Sequence, residues 1–368
     1  MPELRLESDR FTCPADIEEA VRFFYSQGLT DGLPIIPPTE ERVRRMLSGT
    51  SRNPDEMLGQ MPPDCADVTV EKVAINGVMA GCLPQYMPVL IAAVEATLAT
   101  SNLHTQIATT YPSSFLTVVN GPVRKELEIN CGHGAFGPGA QSNATIGRAL
   151  RLVIRNVGGA IPGVGTMTTQ GGPQQYPYCI GENEEENPWE PYHVEQGFDP
   201  QASTVTVFVG EGPHNINDVE GTNAEHILTI AADTMVTLGM NQVTWPAGAF
   251  LALCPEHAAT IANQGWTKED VKKFLFMTAS MTLKKRRFAG MFSHRLGWPK
   301  WWEVADEETP IPLVLDWRDI VVVVVGGVGP HSSCVPRKTA HIITREIKSS
   351  DESRVGRSQE SSINQVVK

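Results

Sequence analysis

Two cysteines, three histidines and two glutamates stand out because glycine turns or interrupted charge runs surround them. Cys131 and His133 share the stretch CGHGAFGPG, 131–139, which holds too much glycine for a helix or a strand. His214 closes VFVGEGPH, and VVVVVGGVGPHSSC, 321–334, delivers His331 and Cys334 after a run of five valines. A thiol beside an imidazole can act as a nucleophile, with strand-end N–H groups suited to an oxyanion. The same atoms, taken as His214, His331 and Cys334, can hold a divalent ion such as zinc and leave a position open for water or substrate. Neither Cys-x-His nor His-x-x-Cys has the paired Cys-x-x-Cys spacing of a structural zinc site, and a free cysteine is also a common buried residue.

The second constellation is YCIGENEEENPWEPYHVEQGF, 178–198. Asn183, Asn187, Pro188 and Trp189 interrupt its glutamates, which a merely solvated charge run does not require. A carboxylate held against Trp189 or Tyr192 has its pKa raised and can serve as general acid or base, with Glu182 and Glu185 the first choices. The carboxylates and His193 could instead bind a divalent ion. Upstream, GGAIPGVGTMTTQGGPQQYPY, 158–178, is a loop able to close over a ligand. Its glycine spacing fits neither a phosphate-binding loop nor a dinucleotide fingerprint, and it follows a helix where those motifs follow a strand, so no nucleotide cofactor is indicated. Cys179 reads as buried, and His104, His226, His257 and His294 read as structural.

The elements that position these groups alternate. Residues 14–27 place Ile17, Val21 and Phe24 on one helical face, and Thr39 can cap a helix over 40–47 after a proline-rich stretch. Asp31 and Gly32 could form a lid or subunit contact, but turn chemistry explains them as part of a strap. Helices are expected at 68–81, 84–100, 143–159 and 224–239, and in the stretch that Thr267 caps. Strands are expected at SSFLTVVN, STVTVFVG, AFLALC and the valine run. A strand running into Gly-Pro recurs at 117–122, 207–214 and 323–331, which would bring three loops to one face of a sheet. The expected fold is α/β, with repeated strand-loop-helix units forming mixed or parallel sheets under covering helices. An N-terminal helical, proline-rich strap (1–65) leads to a first unit (66–200), a second (201–347) and a disordered polar tail (348–368).

Composition bounds the function. Seven scattered cysteines in 368 residues argue against a disulfide framework and for a reducing, cytoplasmic setting. A net charge of −12 with dispersed cations, LKKRRF at 283–288 apart, argues against nucleic acid as a partner. The charged N-terminus is unlike a signal peptide, and no apolar run reaches the roughly eighteen residues of a membrane span.

GLTDGLPIIPP, VEKVAINGVMAGCLPQYMPVLIAAVEA, FGPGAQSNATIGRALRLVIRNVGGA and YCIGENEEENPWEPYH together resemble an uncharacterised group of bacterial-type proteins loosely associated with UGSC-motif proteins. The resemblance implies thiol or selenol chemistry and no named activity; HSSC at 331–334 is the nearest stretch to that motif. The reading is an enzyme on a small polar molecule, a lyase or hydrolase. Cys334 or Cys131 would act as nucleophile or metal ligand, His331 and His214 as acid and base with His133 also in the set, and Glu182 or Glu185 as second proton carrier. A noncatalytic ligand- or metal-binding protein, or a thiol redox protein, is the alternative, and the apolar helix at 84–100 could pack between subunits of a homo-oligomer.

Overall fold

The computed structural model describes residues 5–245, 248–290, 299–337 and 342–348. The tail beyond Lys348, His294 and most of 338–343 lie outside the described residues.

Local chemistry sets the helix starts. Asp16 accepts from the N–H groups of Glu18 and Glu19 to open Ile17–Ser26, and Thr39 Oγ1 accepts from Arg42 N–H to open Glu40–Leu47. In the first helix Ala20 and Phe24 are buried but Ile17 is exposed, so its apolar face is narrower than the spacing implied. The strap is tied to the body by the helix Gln141–Asn156. Arg148 pairs with Asp31 at 2.8 Å and also donates to Leu33 and Pro34 carbonyls, while Arg155 and Asn156 donate to Thr30 and Leu29 carbonyls. Asp31 is therefore a strap anchor.

Among the described residues the strands are β1 (Met57–Met61), β2 (Ala66–Thr69), β3 (Ser114–Asn120), β4 (Cys179–Gly181), β5 (Thr204–Gly210), β6 (His214–Asn217), β7 (Ala249–Leu253), β8 (Ser280–Thr282), β9 (Pro310–Pro312), β10 (Ile320–Val324), β11 (His331–Cys334) and β12 (Ile343–Glu346). β1 with β2 and β8 with β9 form small antiparallel pairs. The other eight form two four-stranded mixed sheets, in the orders β12-β5-β3-β4 and β10-β7-β11-β6.

Side-chain alternation stacks these sheets into four layers. On β3, Phe115 and Val119 join a core shared with the helices Val70–Ala80, Met87–Leu98 and Gln141–Asn156. Leu116 and Val118 instead join a core with Phe250, Ala252, Val321 and Val323 of the second sheet. The valine run is split the same way: Val322 and Val324 meet Leu251, Leu253 and the helices Ala224–Met235, Pro255–Asn263 and Lys268–Thr278. The architecture is helices, sheet, sheet, helices, an α/β fold with mixed sheets as expected.

Both sheets repeat one pattern of senses. A parallel pair (β3 with β4, β7 with β10) is followed by antiparallel neighbours (β5, β11). The outermost strands are exchanged: β6, which follows β5, pairs with β11, and β12, which follows β11, pairs with β5. The sheets accordingly do not divide at residue 200, because β5 returns to the sheet of β3 and β4. This repeated pattern of strand senses also has a different phase from the Gly-Pro repeat. β5 runs against β3, so the loop after β5 emerges at the opposite end of the sheet from the loop after β3. Of the three Gly-Pro loops, the first and third meet and the second does not.

Candidate functional site

The meeting place is a seam at the C-terminal ends of the parallel strands, where open α/β sheets bind ligands. Beyond β3 the chain turns at Gly121 (φ 84°), where a Cβ would lie 2.2 Å from the Ala202 carbonyl oxygen, so only glycine fits. That turn delivers Arg124 on the short helix Val123–Glu126. Beyond β4 come Glu182 to Asn187, and beyond β10 comes Gly326. Asn183 N–H donates to Val324 O at 2.8 Å and Gly326 N–H to Cys131 O at 2.8 Å, so three loops from both sheets are stitched together. His133 is exposed and its ring packs on Gly327, where a Cβ would lie 2.2 Å from it.

Arg124 is the hub. Its side chain is 3% exposed; Nη1 donates to the Glu182 carbonyl at 2.7 Å, and Nη2 lies 2.8 Å from Glu184 and 3.1 Å from Glu185. Nη1 is 3.7 Å from Cys131 Sγ. The two glutamates singled out from the sequence occupy opposite environments. Glu182 is fully buried and accepts from Asn120 Nδ2 at 2.6 Å, Asn187 Nδ2 at 2.8 Å and Tyr192 N–H at 2.8 Å. Burial pushes its pKa up against the lowering pull of Lys268 and these donors. Glu185, at the surface, is held down to about 2 by its hydrogen bonds from Arg124, against some burial and with Lys125 adding to the pull. Glu184 accepts from Asn120 Nδ2 and Gly121 N–H and lies 3.9 Å from His193 Nδ1. His193 is fully buried, its Nε2 facing the Pro200 carbonyl at 3.4 Å, and burial lowers its pKa.

The glutamate run is clamped by the helix Lys268–Thr278 and the turn before it, and is not a free charged face. Trp189 Nε1 donates to Trp266 O, Lys268 donates to Glu190 O, and Lys268 and Lys272 both pair with Glu195. The basic run at 283–288 is similarly committed: Arg286 is buried and donates to the Val243 carbonyl, Lys284 pairs with Glu308, and Arg287 pairs with Glu307.

The remaining sequence candidates separate. HSSC is strand β11 and not a loop, and alternation sends His331 and Cys334 to opposite faces. Cys334 is buried against the outer helices with its thiol pushed up to about 12, burial being the main cause. His331 is exposed and 3.2 Å from Asn215 Oδ1, while His214 is exposed on the edge strand opposite Cys334. His214, His331 and Cys334 therefore do not converge on an ion, and among the described residues no group of three or more His, Cys, Asp or Glu is arranged to hold a metal. Cys131 is half-buried, and its thiol is pushed up by burial despite Arg124. All seven cysteines are free.

Sequence reasoning missed Arg124 and Asn120, which carry no local signal, and Cys254 with His257. For that pair a signal existed: Cys-Pro-Glu-His directly after an apolar strand puts a thiol at a helix start and an imidazole in its first turn. Among the described residues no helix is long and apolar enough to cross a membrane. Comparison of the chain with protein families, with curated proteins and with solved structures finds no match.

Proposed function

We propose that this protein is an enzyme acting on a small polar molecule, a lyase or a hydrolase, and that the seam is where it works. The observation that carries this reading is one buried guanidinium, Arg124, that donates to the Glu182 carbonyl and pairs with Glu184 and Glu185, with burial raising the Glu182 carboxyl while Arg124 holds Glu185 down. Two carboxylates of one loop pushed in opposite pKa directions are a pattern by which one site separates proton carriage from fixed charge. Glu182 is the proton carrier, Glu185 with Arg124 and Lys125 a fixed charge pattern for a polar substrate, and Cys131 and His133 are the reactive groups at the mouth. Freely reduced cysteines fit a cytoplasmic setting. The test is turnover of a mixture of small hydroxy, amino and acyl-carrying acids followed by NMR. Turnover with a bell-shaped pH profile that Glu182→Gln abolishes, in a variant that still unfolds cooperatively, is expected. Saturable binding without turnover would assign the seam to a ligand-binding protein instead.

A further inference from the structure

A second group of reactive side chains lies on the helix side of the second sheet, and it includes His257, which reads as structural from the sequence alone. β7 ends at Leu253, and Cys254 caps the nine-residue helix Pro255–Asn263, its Sγ accepting from His257 N–H at 3.5 Å. The thiol thus sits at the positive end of a helix dipole, which favours its anion. Ser332, on the helix-facing side of β11, bridges to both partners. Its Oγ accepts from Cys254 N–H at 3.0 Å, lies 3.6 Å from Cys254 Sγ and 2.8 Å from His257 Nδ1. At the far side of the ring, Nε2 is 3.2 Å from the Asp218 carbonyl oxygen. A carbonyl only accepts, so in the neutral ring the proton sits on Nε2 and the Nδ1 lone pair faces the serine hydroxyl. Sulfur, hydroxyl and imidazole therefore form a path along which the thiol proton can reach a base.

The titration directions agree with this geometry. Cys82 and Cys334 are pushed up to about 12, and Cys179 and Cys131 are also raised, in each case chiefly by burial. Cys254 goes the other way: burial raises it, but the hydrogen bonds and charge of His257, with the Ser332 hydroxyl, outweigh that. His257 moves up in concert, Cys254 and Asp218 overcoming its burial. Asp218 supplies an independent pointer to a ligand. It is 6% exposed, its Oδ2 is buried with no hydrogen-bond partner, and with Thr222 and His226 it lines a groove of about 600 Å³ that meets the buried pair only through Asp218 itself, whose carbonyl faces His257 Nε2.

The geometry points to Cys254 and His257 as a nucleophile and its base, relayed by Ser332, taking a small acyl compound (an ester or thioester) that enters by the Asp218 groove. This centre stands apart from the carboxylate seam and does not depend on that reading. The Cys254 proton passes through Ser332 Oγ to His257 Nδ1, and the sulfur electron pair forms a bond to the carbonyl carbon while the C=O π pair moves to oxygen. Collapse re-forms C=O, breaks the bond to the leaving group, and hands that group the proton from His257. Water then adds to the thioester, its proton going to His257, and collapse releases the acid while the thiolate recovers its proton. The sum is acyl compound plus water to acid plus alcohol or thiol, with no oxidant required. A disulfide cycle fits less well, since Cys334 sits opposite Leu251 on β7, three residues back from Cys254.

The test uses the full chain with two probes. Iodoacetamide labelling from pH 5.5 to 9, mapped by mass spectrometry, is expected to modify Cys254 about tenfold or more faster than Cys334 at neutral pH, with His257→Gln removing that advantage. p-Nitrophenyl acetate is expected to release one burst equivalent of p-nitrophenolate, leave an acetyl group on Cys254, and give no burst with Cys254→Ser. Ser332→Ala is expected to slow both reactions while the thermal transition stays cooperative. Cys254 labelling no faster than Cys334, or a burst that persists in Cys254→Ser, overturns the proposal. A label confined to Cys131 also overturns it while leaving the seam reading standing, and turnover lost in Glu182→Gln with the Cys254 burst intact separates the two the other way.

Discussion

Replacing Arg124 by Met is the sharpest test of the seam's energetics. The change keeps an apolar stem of similar reach and deletes a guanidinium whose side chain is 3% exposed. Its contacts are not of equal worth. Glu185 is 45% exposed and keeps Lys125 at 2.8 Å, so its loss counts as a surface pair, about 0.5 kcal/mol. Glu184 is 14% exposed, and together with the Glu182 carbonyl it loses short charge-assisted bonds inside the protein. Such bonds contribute about 1.5–3 kcal/mol each, and Glu184 keeps Asn120 and Gly121 as donors, which puts its share at the low end. The expected total is about 3–4 kcal/mol, in line with breaking one partner of a buried pair. At about 2 °C per kcal/mol for a chain of this size, that is a fall of about 6–8 °C in Tm by calorimetry. The double variant Arg124→Met with Glu184→Leu is expected to regain more than half the loss, because no uncompensated charge remains buried. A loss below about 1 kcal/mol, or strictly additive single and double variants, would show that the network is solvated and refute the reasoning.

Three further outcomes are expected. Glu185, held at about 2, contributes stability that is fully present above its unfolded pKa and is lost as pH falls through the folded value. Urea midpoints should therefore drop between about pH 4.5 and 2, with a shallower acid limb in Glu185→Gln, whereas Glu182, raised by burial, makes stability fall as pH rises through its folded pKa. Leu251→Ala removes a fully buried side chain between β7 and the outer helices and should cost about 2–5 kcal/mol, read as a lower urea midpoint at unchanged m. Gly147→Ala, despite the roughly 1 kcal/mol better helix propensity of alanine, should be destabilising, because its Cβ would lie 2.4 Å from Tyr178 N and push the helix Gln141–Asn156 off β4; an unchanged melting curve would contradict that contact.

What was legible in the sequence was whatever short-range chemistry decides. Thr39 and Thr267 mark helix starts because a side-chain oxygen must satisfy nearby N–H groups, and the capping box Thr267 with Asp270 forms as its spacing demands. The apolar runs at β3, β5, β7 and β10 are strands because both faces of each are buried. Pairing across the chain was not legible. β6, β11 and β12 are polar four-residue strands whose partners lie eighty or more residues away, and nothing in HSSC or HNIN announces that an edge is waiting for them. The site suffered from the same limit: His331 and Cys334 are close in sequence but on opposite faces of one strand, whereas Cys254 and Ser332 are far apart in sequence and adjacent across β7 and β11.

The exchange of β6 and β12 gives the two candidate centres their setting. Each sheet is completed by a strand that follows the other sheet's antiparallel strand in the chain, so the sheets are locked face to face and the ends of both parallel pairs come to the same side of the molecule. Val325 N–H donates to Leu253 O, and Gly326, the next residue, donates to Cys131 O. One short backbone segment thus lies between the Cys131 loop on one side and the start of the Cys254 helix on the other. A buried ionic network gives little stability for its desolvation cost, since apolar packing of equal volume does as well or better. Arg124, Glu182, Glu184 and His193 are nonetheless kept inside, beside loops whose backbone positions they fix. The shared segment 325–330 means that a change at the carboxylate seam and a change at the Cys254 centre act on opposite flanks of the same loop. Variants at Gly326 or Gly327 should therefore perturb both centres together, whereas variants at Glu185 and at Ser332, which touch only one flank each, should combine additively.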